Sequence, residues 1–219
     1  MSDWFRQTNW NKEIEEHFFK KLSRARKESR AQYLKIQAIE LIETKNLAVL
    51  CAAEMLIQKL LNDYPENKID RSQCFLSLGD ISKFHGDSIS SLDYYLKAID
   101  HEEVYPNVKT RAYLDFAETV IKLEKQEYYS LVQSLILNRV KNSPFPIERY
   151  MSYSFLSIID FRKGNISEAF EYSVLAAQSA SAETANLRYH KDLGEVTKRE
   201  QWIEDLIAYY RTKMNHKIN

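Results

Sequence analysis

Four small residues, Ala38, Gly79, Ala117 and Ser157, each sit inside a stretch of helical apolar periodicity, at successive intervals of 41, 38 and 40 residues. Spacing this even constrains the chain to repeat one structural unit. The physical need is close approach. Antiparallel helices packed about 10 Å apart, with a further pair stacked on them, require small side chains where their backbones meet. The plainest copy runs from Cys74 to Pro106 and reads as two short helices joined by His85-Gly86-Asp87. Gly86 falls where a helix end needs a left-handed residue, and Asp87 or Ser88 can cap the helix that follows. Ile89, Leu92, Leu96 and Ile99 then repeat at the spacing of one buried face. A second glycine joint, Gly164, lies 78 residues after Gly86, two periods of 39.

Between these landmarks the chain reads as further helices. Trp10, Ile14, Phe18, Leu22 and Ala25 form a stripe at i, i+4 spacing, with Thr8 or Asn9 as its cap. The basic cluster from Lys20 to Arg30 reads as a solvated face answered by Glu13, Glu15 and Glu16. Helices are expected over Arg30–Glu43 and Leu47–Tyr64, and Asp70 with Gln73 makes a capping-box signature. After Pro106, Asn107 can cap a helix over Val108–Glu124 with Tyr113, Phe116, Ala117, Val120 and Leu123 inward. Its end lacks glycine, so the turn near Lys125 is loosely placed. Another helix, Glu127–Lys141, offers Leu131, Leu135 and Val140 as buried positions. Ser143-Pro144-Phe145-Pro146 is the sharpest break in the chain. Beyond it the hairpin pattern returns, with Asn165 opening its second helix, and Thr197 with Glu200 caps a last helix carrying Trp202, Leu206 and Tyr209 or Tyr210. Three adjacent tyrosine pairs, Tyr94-Tyr95, Tyr128-Tyr129 and Tyr209-Tyr210, place rings about 100° apart on a helix. One ring of each can pack inward.

Composition supports helices and narrows the function classes. Gly and Pro number only four each, too few for the many turns of an all-β fold. The charge balances at 31 basic and 31 acidic residues, without the excess that non-specific nucleic-acid binding draws on. No apolar run approaches a membrane span, since the longest is Leu47 to Ala53. The opening MSDWFRQTNW has no apolar signal core, so a soluble, cytoplasmic protein is expected. Cys51 and Cys74 lie in apolar helical stretches without CxxC spacing and read as buried, reduced thiols.

The five histidines are scattered, and no HExxH, P-loop, GxGxxG or GxSxG pattern appears, so neither catalysis nor a cofactor or metal is expected. The densest polar string is Arg188, Tyr189, His190, Lys191 and Asp192. It can hold a terminal cap to the last hairpin or, as a less favoured alternative, furnish an enzyme site.

Leu78-Gly79, Gly86, Ser91, Tyr95 and Ala98, and again Gly164, Ala169 and Ala176, resemble the tetratricopeptide repeat (TPR) family. The resemblance covers about Arg30 to Ser181, with two well-matched repeats and two degenerate ones. It departs in its period, since the family repeats at about 34 residues, and in lacking the usual first-helix Trp. The opening DWF…W and the closing RYH…LG look like a group of uncharacterised bacterial TPR-containing proteins. The resemblance implies an all-α, TPR-like α-α superhelix (solenoid) of about four hairpins. It would form one domain: residues 1–29 an N-terminal cap, 30–181 the repeats, 182–219 a C-terminal cap. It also implies a concave groove that receives a protein or peptide. Groove positions carried over are Lys35, Leu76, Asp80, Lys83, Arg111, Leu114, Glu118, Lys122, Phe161 and Arg162. They lean basic, which suits an acidic segment of the partner. Ile39 and Ser77 stand near the places of the asparagines used by the chaperone-tail-binding branch. The resulting expectation is an interaction module without catalysis, binding neither nucleic acid nor membrane. The alternative on the same scaffold is a bacterial immunity or antitoxin-type inhibitor that neutralises a cognate toxin.

Overall fold

The chain's structure, a computed structural model, describes residues 3–182 and 193–218, with side chains up to Lys213. Among the described residues every regular element is helical. In order these are α1 (Lys12–Arg24), α2 (Lys27–Glu43), α3 (Leu47–Asp63), α4 (Arg71–Phe84), α5 (Ser88–Val104), α6 (Ala112–Lys122), a 3-10 turn (Gln126–Tyr128), α7 (Tyr129–Val140), α8 (Pro146–Lys163), α9 (Ile166–Ala180) and α10 (Gln201–Ile218). The chain divides into two compact units, Met1–Ala112 and Tyr113–Asn219.

In the first unit α2 pairs with α3 and α4 with α5, while α4 also packs on α2 and α3. Its core is a continuous apolar cluster in which Phe18, Leu34, Leu41, Leu50, Leu56 and Leu60 are fully buried. Each such side chain contributes roughly 1.5–3 kcal/mol on leaving water, so the cluster is the main source of the unit's stability. In the second unit α8 pairs with α9, α7 lies on α8, and α10 covers both α8 and α9.

Four positions have the backbone at the helix joints turned left-handed or nearly so: Lys45 (φ 53°), Gly86 (φ 80°), Glu124 (φ 54°) and Gly164 (φ 85°). Each lies seven residues after one of the small residues Ala38, Gly79, Ala117 and Ser157, all four of which are buried. The joints at Gly86, Glu124 and Gly164 close with the same pair of backbone bonds. Gly86, Glu124 and Gly164 donate to the carbonyls of Lys83, Ile121 and Phe161, and the residues after them donate to Ser82, Val120 and Asp160. That is the Schellman closure, which satisfies the carbonyls left free at a helix end. At Lys45 the first bond goes to Ile42, and the Leu41 carbonyl accepts from the Thr44 hydroxyl at 2.6 Å instead. The repeat is thus one of backbone geometry, with glycine at only two of its four joints.

Several expected boundaries move, each for a local reason. Asn11, rather than Thr8 or Asn9, caps α1, its side chain accepting from the Ile14 N–H at 2.9 Å. α2 begins at Lys27, not Arg30. Arg30 instead closes the end of α1 by donating to the Ala25 and Ser23 carbonyls at 3.0 and 2.7 Å. Asp70 makes no capping bond to α4. The helix expected from Val108 starts at Ala112. The buried Glu102 carboxylate accepts from the Thr110 N–H and hydroxyl at 2.9 and 2.6 Å, and Thr110 in turn accepts from the Ala112 N–H. The last helix starts at Gln201, so Thr197 does not cap it. Ile89 is 57% exposed, because the inward face of α5 runs through Leu92, Tyr95, Ala98 and Ile99. Leu123 and Leu131 are also exposed, and so is Cys51.

The tyrosine pairs behave alike. Tyr95, Tyr129 and Tyr210 are buried, whereas their neighbours Tyr94 and Tyr128 are half-buried and Tyr209 is exposed. No helix among the described residues is long and apolar enough to cross a membrane.

Candidate functional site

In the first unit a cleft of about 810 Å³ lies between the first half of α2 and the linker from α3 to α4. Lys27, Ala31 and Lys35 form one wall, and Tyr64, Ile69 and Asp70 the other. The linker keeps its shape through its own polar groups. Asn67 donates to the Asp70 carboxylate at 2.8 Å and accepts from the Asp70 N–H at 3.1 Å. Lys68 and Arg71 both reach the Pro65 carbonyl, at 3.0 and 3.2 Å. The other Asp70 oxygen is paired with Lys35. This explains why Asp70 does not cap α4: its carboxylate is spent fastening α2 to the linker. Ile69 projects from the same linker at 74% exposure, an apolar side chain beside a charged cleft.

One turn into α4 the Cys74 thiol is buried, and burial first, then the nearby Asp70 charge, push its pKa up to about 12. A thiol held neutral in this way is a packing group rather than a nucleophile.

The positions carried over from the resemblance fall into different surroundings. Leu76 and Leu114 are buried and serve packing. Asp80 accepts a 2.8 Å bond from the Tyr95 hydroxyl. Lys83 is half-buried in the last turn of α4, and Arg111 is exposed just before α6. Glu118 and Lys122 form an i, i+4 ion pair on α6, and the Lys122 ammonium also stands 4.6 Å from the Trp202 ring centre. Phe161 stacks on Tyr210 with ring centres 4.0 Å apart. Arg162 donates to the Ile121 carbonyl at 2.8 Å and to the Tyr129 and Tyr210 hydroxyls at 2.9 and 3.1 Å. Lys35 is thus the one that lines the cleft, while Phe161 and Arg162 anchor α10. Ile39 is half-buried and Ser77 buried. The string Arg188 to Asp192 lies outside the described residues.

A polar group that the periodicity passed over is Gln37, fully buried in α2 beside Ala38. Its carboxamide accepts from the Gln7 N–H at 2.9 Å and donates to the Gln7 carbonyl at 2.7 Å. A glutamine inside an apolar helical stripe is the signal that could have flagged it, since such a group needs partners from elsewhere in the chain.

Among the described residues no three His, Cys, Asp or Glu side chains are grouped so as to hold a metal ion. No protein-family model matches the chain, and no curated protein or solved structure matches it either.

Proposed function

We propose that the chain is a TPR-like interaction module that docks a protein or peptide partner and performs no chemistry of its own. The reading rests on the fourfold helical joint, at intervals of 41, 38 and 40 residues, seven residues after a buried small residue each time. Repeated helical hairpins present helix faces and clefts rather than enclosed reaction chambers, and families built this way mostly bind other proteins. The α2–linker cleft is the docking site favoured in the first unit, with Lys35 held in its wall and Ile69 as an exposed apolar anchor. Two unpaired cysteines accord with a reducing, cytoplasmic location.

Affinity capture from native lysate with the full chain, read by mass spectrometry, tests the reading. One partner should be enriched with the parent chain and lost with Ile69→Asp, a substitution at a solvent-exposed position that leaves the core untouched. A parallel variant reversing Lys83, Arg111 and Lys122 to Glu probes the basic positions and the preference for an acidic segment. Retention of the partner by both variants would move docking elsewhere, and the absence of any enriched protein would sink the module reading.

A further inference from the structure

Three side chains of α2, Tyr33, Gln37 and Glu40, follow at i, i+4 and i+7 and therefore share one stripe of the helix. All three hold the same short stretch of chain, Trp4-Phe5-Arg6-Gln7. The Trp4 and Phe5 rings lie on Tyr33 with centres 4.9 and 4.7 Å away. The Arg6 guanidinium pairs with the Glu40 carboxylate. Gln37 pairs with both main-chain groups of Gln7, as a neighbouring β-strand would. Trp4 also leans on Phe18 at 5.3 Å, and a hollow of about 500 Å³ opens beside it, lined by Trp4, Gln7 and Ile14 among others.

These contacts divide recognition into parts. A carboxamide bonded to an N–H and a carbonyl reads the main chain of one residue and ignores its side chain. The tyrosine ring selects aromatic neighbours, and the carboxylate selects a base next to them. A fully buried amide is costly unless both of its ends are bonded, so Gln37 requires a donor and an acceptor opposite it, which the main chain of one residue supplies. The resident segment carries no regular helix or strand, and Trp4 and Phe5 sit in a turn closed by the Arg6 N–H on the Asp3 carbonyl at 3.0 Å. It is tethered a few residues from α1, which gives it an effective concentration on the order of millimolar. Weak intrinsic affinity is then enough to keep it seated, and a stronger external segment can take its place.

We propose that the Tyr33–Gln37–Glu40 stripe is a peptide-binding site, filled in this structure by the chain's own residues 4–7. A partner segment that presents the same turn, an aromatic pair followed by a basic residue, enters by displacing them. Lys35 lies about 200° around α2 from Tyr33 at 100° per residue, so this site is separate from the cleft and stands or falls independently of it.

The test uses a fluorescein-labelled peptide, Asp-Trp-Phe-Arg-Gln-Thr-Asn-Trp-Asn, titrated by fluorescence anisotropy. The receptor is the full chain carrying Trp4→Ala and Arg6→Ala, which loosen the resident segment. Saturable binding is expected, and binding to the parent chain should be weaker by about tenfold or more, since its own segment competes. Adding Glu40→Arg to the receptor should weaken the peptide about tenfold, and a peptide with Arg→Glu should recover on that receptor. No saturable binding to a receptor with the parent's helical circular dichroism, or binding indifferent to Glu40→Arg, would overturn the proposal. If the loosened receptor fails to fold, hydrogen exchange on the parent chain decides. Excess peptide should deprotect the Gln7 amide, and unchanged protection would count against displacement.

Discussion

Gly79 lies under the ring of Tyr95. A Cβ built there would stand 2.4 Å from Tyr95 Cε1, well inside contact distance. The ring cannot retreat easily, because it is fully buried and its hydroxyl is tied to Asp80. Gly79→Ala should therefore cost roughly 1–3 kcal/mol, the usual penalty for overpacking a tight core, measured by urea denaturation. Tyr95→Leu in the same background should return part of it. The cysteines make a second residue-scale contrast. Cys51 is exposed and should be alkylated by iodoacetamide in the folded chain, whereas Cys74 should react only after unfolding. The Cys74 thiol ionises near 9.0 when unfolded and is pushed up to about 12 when folded. Only the unfolded chain releases that proton between these values, so the contribution is fully present below 9 and is lost as pH rises toward 12. Comparing Cys74→Ala with the parent across that range isolates it: the alanine variant should lose this part of the slope. Sequence placed Cys74 correctly and Cys51 wrongly. Apolar neighbours mark a helix as partly buried but do not say which side a given residue takes until the packing partners are known.

At the scale of elements, the four joints share a backbone conformation while their residues differ. Lys45 and Glu124 hold a positive φ that Cβ-bearing residues adopt only at a cost, whereas glycine adopts it freely. Lys45→Gly should therefore raise stability by about 0.5–1 kcal/mol, and Gly86→Ala should lower it by a similar amount, with the added Cβ of the latter meeting open space. Melting both variants beside the parent checks the pair; a neutral Lys45→Gly would mean that the joint is not strained. Glu124 is a less clean site, since it also stands 3.5 Å from Arg162 Nη2. The joint after α6 was hard to place from sequence because it lacks glycine. The offset of seven residues from Ala117 points to it once Gly79–Gly86 and Ser157–Gly164 are set side by side. Some local caps were legible, as at Asp87, which accepts from Ser90 at 3.0 and 2.6 Å and whose pKa is lowered mainly by that contact, although the equally local Asn11 was passed over for Thr8 or Asn9. They were not legible where the cap is held from a distance, as Thr110 is by Glu102 across eight residues.

At the scale of the molecule, the TPR resemblance implied caps over residues 1–29 and 182–219, while periodicity disclosed the hairpins but not the contacts that hold a cover on either unit. In the first unit the cover comes from a bond set 30 residues long, Gln7 to Gln37, which no local pattern encodes. In the second it is α10. Ile203 is fully buried and Ile207 nearly so, and Tyr210 stacks on Phe161. Arg211 donates to the Ser173 carbonyl and hydroxyl at 2.7 and 3.1 Å, and Tyr150 donates to Glu204 at 2.5 Å. Burial first, and the Glu204 acceptor next, push the Tyr150 hydroxyl above the ordinary tyrosine range. Stability that depends on keeping that hydroxyl neutral is intact at neutral pH and is lost only as pH climbs beyond the usual tyrosine value. α10 thus shields apolar surface on α8 and α9. An apolar helix face left uncovered is open to association with other molecules. Ile203→Ala should cost roughly 2–5 kcal/mol, and combined with Ile207→Ala it should free α10 from its hairpin. The double variant should then elute earlier than the parent on size exclusion, increasingly so with concentration, and the emission of Trp202, stacked 6.0 Å from Phe155, should shift to the red. Unchanged elution and emission in a destabilised variant would show that α10 adds stability without shielding a sticky face.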